Sequence, residues 1–279
     1  MSALETTLAA PASAQLLSIA RRELSSSYKM GLAWLVPSTA LLAMTLSMQP
    51  TMKEKGSIFE QKLALMPAQM RAAFGLDGAN LADPVSYLAT NATLFLLLGA
   101  LFAALLGATL LSREELSHTV DLLLTRPVRR SVVLGGKLLS AIALVLAFDV
   151  VAAAVALAVY AAVGVELDTL RLVVVFAGAA LLHLTLLAVA VLASVVVKRP
   201  QGAPSSAVAL VFGSYGVGVV AATSEQLHFL GHLSPFRAVD PGTVAATGAL
   251  PDAALALPVV ALAAVVVALW RFGDKDMPS

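Results

Sequence analysis

The sequence predicts an all-α integral membrane protein with six transmembrane helices, and three observations carry that fold class. Hydrophobic residues fill 59% of the 279 positions and charged residues 13%, where an ordinary soluble domain has roughly 45–50% and about 25%. The mean hydropathy is +0.89. Six apolar runs, at about 31–48, 87–111, 138–163, 170–197, 204–222 and 253–272, approach the roughly 20 residues that a helix needs to cross a hydrocarbon core about 30 Å thick. None alternates polar and apolar residues at every second position, as the strands of a membrane barrel must, so the runs are helices.

Each run ends where spans end, at charges, Pro or clusters of Gly, Ser and Asp. The whole chain, 1–279, reads as one transmembrane domain. Its parts outside the bilayer are a cytoplasmic N-terminus with an interfacial helix at 1–29, an extracellular loop at 49–86, a cytoplasmic loop at 112–137 and an extracellular loop at 223–252. Orientation follows from Lys and Arg, which cytoplasmic loops retain. With the N-terminus inside, the cytoplasmic segments hold Arg21, Arg22, Lys29, Arg113, Arg126, Arg129, Arg130, Lys137, Lys198, Arg199, Arg271 and Lys275, twelve of the 18 basic residues. Four of the other six lie in one long loop, where the charge rule is weak. Both termini are therefore expected in the cytoplasm.

The first 27 residues lack the order of a cleavable signal peptide, because the Arg21–Arg22 pair follows a mild apolar stretch instead of preceding a strong one. Leu16, Leu17, Ile19, Ala20 and Leu24 alternate with Arg21, Arg22 and Glu23, a pattern suited to a short helix in the membrane surface or to a plain basic flank of the first span. In the loop at 49–86, Phe59, Leu63, Leu65, Met66, Met70, Ala73 and Phe74 suggest one or two short amphipathic helices split by Pro67. The loop at 223–252 carries SPFRAVDPG, in which residues before Pro are pushed away from helix; it reads as a connector or as the exit of a pathway. The chain has no Cys, which excludes disulfides, thiolate metal sites and a cysteine nucleophile.

The cytoplasmic segment from Arg113 to Lys137, REELSHTVDLLLTRPVRRSVVLGGK, is the one charged, motif-like block between long apolar runs. Leu116, Val120, Leu123 and Leu124 recur at three- and four-residue spacing, with Arg113, Glu114, Ser117 and Asp121 on the other face. Such a short helix can dock an apolar ridge into a protein groove. Pro127 breaks it and extends Arg126, and Ser131 can cap a new helix that carries Lys137 into the third span. For Arg126, Arg129 and Arg130 alone the positive-inside rule is sufficient. It does not account for Glu114 with Glu115, the Leu triplet or the Pro.

Six spans with cytoplasmic ends, an Arg pair before the first, and Glu115, Thr119, LLLTRPV at Leu122 to Val128, Arg130 and Lys137 resemble an ABC-2 type permease. That is the membrane subunit of a bacterial ATP-binding cassette exporter, in the branch that includes the permease associated with copper-enzyme maturation. The resemblance covers the chain in topology and is specific over the cytoplasmic block, with support from SPF at Ser234 to Phe236 and the RFGDKD ending. Many members carry Gly where this chain has His118.

The resemblance implies that the loop between the second and third spans is a coupling helix seated in a groove of a separate ATPase. Glu115, Thr119, Leu123, Thr125, Arg126, Pro127 and Arg130 would be its contact set, and Lys198 with Arg199 in the turn KRPQG a second contact on the same side. It implies an ABC ATP-binding subunit as partner, a homodimer or a pairing with a second permease, a multi-pass place in the bilayer of the cell inner (cytoplasmic) membrane, and efflux of a cargo. No nucleic-acid partner is expected.

The residues themselves place the motor elsewhere. A P-loop needs Gly, four residues, then Gly-Lys-Ser/Thr, so that backbone amides cradle phosphate. At Gly136-Lys137 the first Gly is Ser131 and the hydroxyl position is Leu138. The chain is expected to bind no cofactor, ATP and Mg belonging to the partner subunit, and not to be an enzyme.

Small residues speak to packing. Gly99, Ala103 and Gly107 repeat every four residues in the second span, and Gly213, Gly216 and Gly218 lie in the fifth; such positions let backbones approach, either within one bundle or across a dimer seam. Two ionisable residues lie deep in the bilayer, Asp149 in the third span and His183 in the fourth. At 1.5 Å per residue their depths from the cytoplasmic ends would be about 16 and 21 Å, close enough to pair. Residues of this kind are functional hypotheses by default. They give the rival reading, an ion-driven secondary transporter with Asp149 and His183 as proton relay, against which stands the lack of an inverted repeat; a buried pair tying two helices is the simpler account. Asn91 suits an interhelical hydrogen bond.

An intramembrane enzyme would need His-Glu-x-x-His or Gly-x-Ser-x-Gly, and neither occurs. His228 and His232 are four apart but have no third ligand nearby, so no metal site is expected. The cargo is not written in the sequence. A bundle poor in charges favours a lipophilic or peptide-like molecule over a polyanion, and no Cys or Met cluster supports metal handling.

Overall fold

The computed structural model describes residues 11–55, 61, 65–67, 70–71, 80, 82–116, 130–196 and 202–274. Among them every regular element is helical, and six helical stretches are long and apolar enough to cross a bilayer: Ala12–Glu54, Pro84–Leu110, Ser131–Ala162, Thr169–Val196, Ala203–Thr223 and Asp252–Phe272. They fall on the six apolar runs, and they are called the first to sixth spans below.

The first span differs from its expected form at one end. The N-terminal segment is no separate surface helix but the start of one continuous helix, Ala12–Leu46. Nothing between Arg22 and Leu32 breaks a helix, and Pro37 removes one backbone donor within it without ending it. At 1.5 Å per residue its 35 residues run about 50 Å. That exceeds a hydrocarbon core of about 30 Å, so the part bearing Arg21 and Arg22 projects beyond the membrane.

The second and fourth spans form the centre. In their most apolar stretches 61% of residues are buried, against 22–28% in the other four. These two pack most extensively on each other; the first leans on the third, the sixth on the fourth and the fifth on the second. A helix apolar all round belongs in such an interior or in lipid. Many of the large apolar side chains left exposed, including Val36, Val150, Phe212, Leu262 and Val266, lie on the outer four spans, as suits a surface that meets acyl chains.

Hydrogen bonds staple the ends opposite the connection between the second and third spans. The Tyr87 hydroxyl donates to the Thr45 carbonyl at 3.0 Å and the Tyr160 hydroxyl to the Pro84 carbonyl at 2.8 Å, joining the first, second and third spans. The 223–252 segment is more ordered than a plain connector. It forms a 3₁₀ helix, Glu225–Leu233, then short helices Pro235–Ala238 and Pro241–Thr247, each opening on a Pro, the first of them after the extended Ser234. Gly248, at φ 73°, ends the last of them in the left-handed conformation that glycine adopts without strain.

That segment folds back along the fifth span. The buried Ser234 hydroxyl donates to the Ser214 carbonyl at 2.8 Å, nine residues, or about 14 Å of helix, before the span ends at Thr223. A Cβ on Gly218 would stand 2.6 Å from Ser234 Oγ. Glycine thus admits the returning chain.

Candidate functional site

At the centre of the bundle the third span presents Asp149 and the fourth presents His183, 3% and 0% exposed. His183 Nδ1 is 2.9 Å from Asp149 Oδ1, and Nε2 is 3.1 Å from the Leu96 carbonyl of the second span. A carbonyl only accepts, so Nε2 carries a proton. Nδ1 then shares one further proton with Asp149, as imidazolium beside carboxylate or as neutral imidazole beside carboxylic acid, and the pair has zero net charge either way. That neutrality is how two ionisable groups are tolerated at this depth.

The surroundings are aromatic. Phe95 and Phe148 stack at 5.3 Å and each meets the His183 ring edgewise, at 6.0 and 6.1 Å. Gly99 is what lets the imidazole in, since a Cβ there would overlap the ring. One helical turn pair further on, a Cβ on Gly107 would lie 2.6 Å from the Leu187 carbonyl, and Ala103 between them is fully buried. The Gly99–Ala103–Gly107 stripe is therefore the seam between the second and fourth spans of this chain. Gly213 and Gly216 have no neighbour within 4 Å of where a Cβ would stand, so they face outward from the protomer. Asn91 Nδ2 donates to the Tyr87 carbonyl of its own helix at 2.8 Å; the expected interhelical bond is replaced by this local one.

At the other end the continuous first helix is clamped to the base of the third. The Lys137 ammonium, 3% exposed, lies 3.0 Å from Glu23 Oε2. A Cβ on Gly136 would come within 2.9 Å of Ile19 and of the Leu16 carbonyl. Of the expected coupling residues, Thr119, Leu123, Thr125, Arg126 and Pro127 lie outside the described residues, as do Lys198 and Arg199. Glu115 sits in the last turn of the helix Pro84–Leu116, and Arg130 opens the helix Arg130–Ala162. The clamp stands two turns into the helix Arg130–Ala162.

Where the fourth span begins, Arg171 in its first turn bridges Asp83, the residue just before the second span, at 3.2 Å and also donates to the Ala245 carbonyl. Burial by itself would raise the Asp83 carboxyl, but hydrogen bonds from the Ser86 backbone and side chain and from Arg171 hold it below the usual carboxylate value. His228 and His232 are exposed on the 3₁₀ helix, and among the described residues no group of three potential ligands could hold a metal.

A cavity of about 430 Å³ opens between the first and second spans, with Tyr215 of the fifth at its side. Sequence reasoning missed it, together with the Glu23–Lys137 clamp and the tyrosine staples. Ser38 beside Pro37 in an apolar run was the available signal.

Six apolar helices around a buried Asp–His pair define a polytopic membrane protein. Residues 17–277 match the family model of ABC-2 family transporter proteins, and the chain belongs to that family. No curated protein matches it.

Proposed function

We propose that this chain is the membrane-spanning permease subunit of an ATP-binding cassette exporter of the bacterial inner membrane. It couples ATP hydrolysis by a separate ATPase subunit, which holds ATP and Mg, to movement of a cargo out of the cytoplasm. The family match over 17–277 carries the reading. The cytoplasmic block supports it: its greasy Leu116, Val120, Leu123 and Leu124 ridge fits a groove, and the Glu23–Lys137 clamp would pass a push on that block to the first span. Two such permeases, or one with a second permease, would face each other across the pathway, and the open Gly213 and Gly216 suit a close helix contact there.

The proton-relay reading is weaker. A relay must meet water on alternating sides, whereas His183 is fully enclosed and its second nitrogen is committed to the Leu96 carbonyl. The test is co-purification from solubilised native membranes. Wild type should retain an ATP-binding cassette ATPase, and a Leu123→Asp, Arg126→Glu variant should lose it. Recovery of no ATPase with either protein would defeat the proposal.

A further inference from the structure

The cavity beside the first span has a mixed lining: six apolar residues of the first and second spans, Phe95 among them, and the polar Ser38, Thr45, Thr90, Asn91, Thr93 and Tyr215, with no ionisable acid, Lys, Arg or His. At about 430 Å³ it falls within the range of roughly 300–1,000 Å³ typical of small-molecule sites.

Hydroxyls inside apolar helices ordinarily donate back to their own backbone. Thr39, Thr45 and Ser47 of the first span do so, to Leu35, Leu41 and Met44, and Thr90 does so to Ser86. Ser38 does not. It is 2% exposed and its Oγ has no partner, an unfavourable state for a buried polar atom. Thr45 and Thr90 spend their hydroxyl protons on their own helices and Asn91 spends one of its two amide protons, so the oxygens of all three and one Asn91 N–H are left toward a ligand. Such a lining complements hydroxyl or amide groups. It gives neither an anion nor a cation a counter-charge.

We infer that this cavity binds an uncharged amphiphile, a molecule with an apolar body and a hydroxyl- or amide-bearing head, and that Ser38 is the residue that recognises the head. That the amphiphile is the cargo rests on the exporter reading; that it binds does not.

The test uses the full chain in phosphatidylcholine nanodiscs without any ATPase. Trp34, one turn before Ser38, is the reporter in a Trp270→Phe background, because the chain has two Trp residues. The probe is a bromoalkyl glucoside, compared with a bromoalkyl phosphate and a bromoalkyl trimethylammonium of equal chain length. Saturable quenching by the glucoside, at least tenfold tighter than by either charged probe, is expected. Ser38→Ala should weaken it at least fivefold and Ser38→Thr should retain it; both fold if the Trp34 emission before probe is unchanged. Quenching that rises linearly for all three probes, as bulk partition would, or that ignores Ser38→Ala, overturns the inference. Binding without ATPase co-purification would instead sink only the exporter reading, and co-purification without binding would sink only this one.

Discussion

Asp149 and His183 show how one residue pair can be both costly and stable. Each alone would be an unsatisfied polar group in an apolar core; together with the Leu96 carbonyl every hydrogen-bonding atom of the imidazole is used. Asp149→Leu should therefore cost about 2–3 kcal/mol, between an orphaned buried donor and a broken buried ion pair, read as a lowered melting temperature in detergent. Asp149→Asn can donate its amide N–H to Nδ1 of the neutral imidazole and should leave both stability and the ATP turnover of the assembled complex near wild type. Abolished turnover in a well-folded Asp149→Asn protein would favour the relay. Gly99→Ala should cost about 1–3 kcal/mol by overpacking against His183.

Asp83 makes a pH prediction. Its carboxyl is held below the usual value, so the folded state binds its proton less readily than the unfolded chain does. The contribution is fully present above the unfolded value and is lost as pH falls through the lower folded one. Acid titration of thermal stability should show that loss in wild type and lack it in Asp83→Asn. The effect is small, since Arg171 and Asp83 are 26% and 28% exposed and partly exposed ion pairs contribute about 0.2–1 kcal/mol.

Elements tell which parts of the account were legible in advance. Span number and placement follow from run length and the bilayer's thickness, and the structure agrees closely at Thr169–Val196 for the run 170–197, whereas the first span begins well before its apolar run, at Ala12. Depth arithmetic also brought Asp149 and His183 to within about 5 Å of one another along the bundle axis, because helical rise is nearly constant. Side-chain azimuth was not legible: spacing alone could not say whether Gly99 and Gly107 face a sister span or a second protomer, nor that Asn91 turns back on its own helix. Nor could it reveal the clamp, which joins Glu23 to Lys137 across 114 positions. Gly136→Leu should push Ile19 and Leu16 away from the third span, and limited trypsin treatment should then cut at Arg21–Arg22 several-fold faster than in wild type.

At the scale of the whole molecule, two more buried helices are wrapped by four less buried ones, and the charged block joins the second span to the third. The orientation argued from Lys and Arg has a direct check, since the chain has no Cys. An impermeant maleimide applied to intact cells should label Asp252→Cys and not Ser18→Cys, both exposed positions. The reverse pattern would invert the topology and remove the block from the ATPase side.

The central claim is that ATP hydrolysed on a partner moves these helices. Its most direct measurement is the labelling rate of a single cysteine at Leu94, exposed at the cavity edge on the second span, in the purified complex with ATPase in nanodiscs. The rate should change several-fold when ATP and vanadate trap the ATPase, and the change should vanish when Leu123→Asp and Arg126→Glu are added. A rate indifferent to trapped nucleotide in the intact complex would contradict the account.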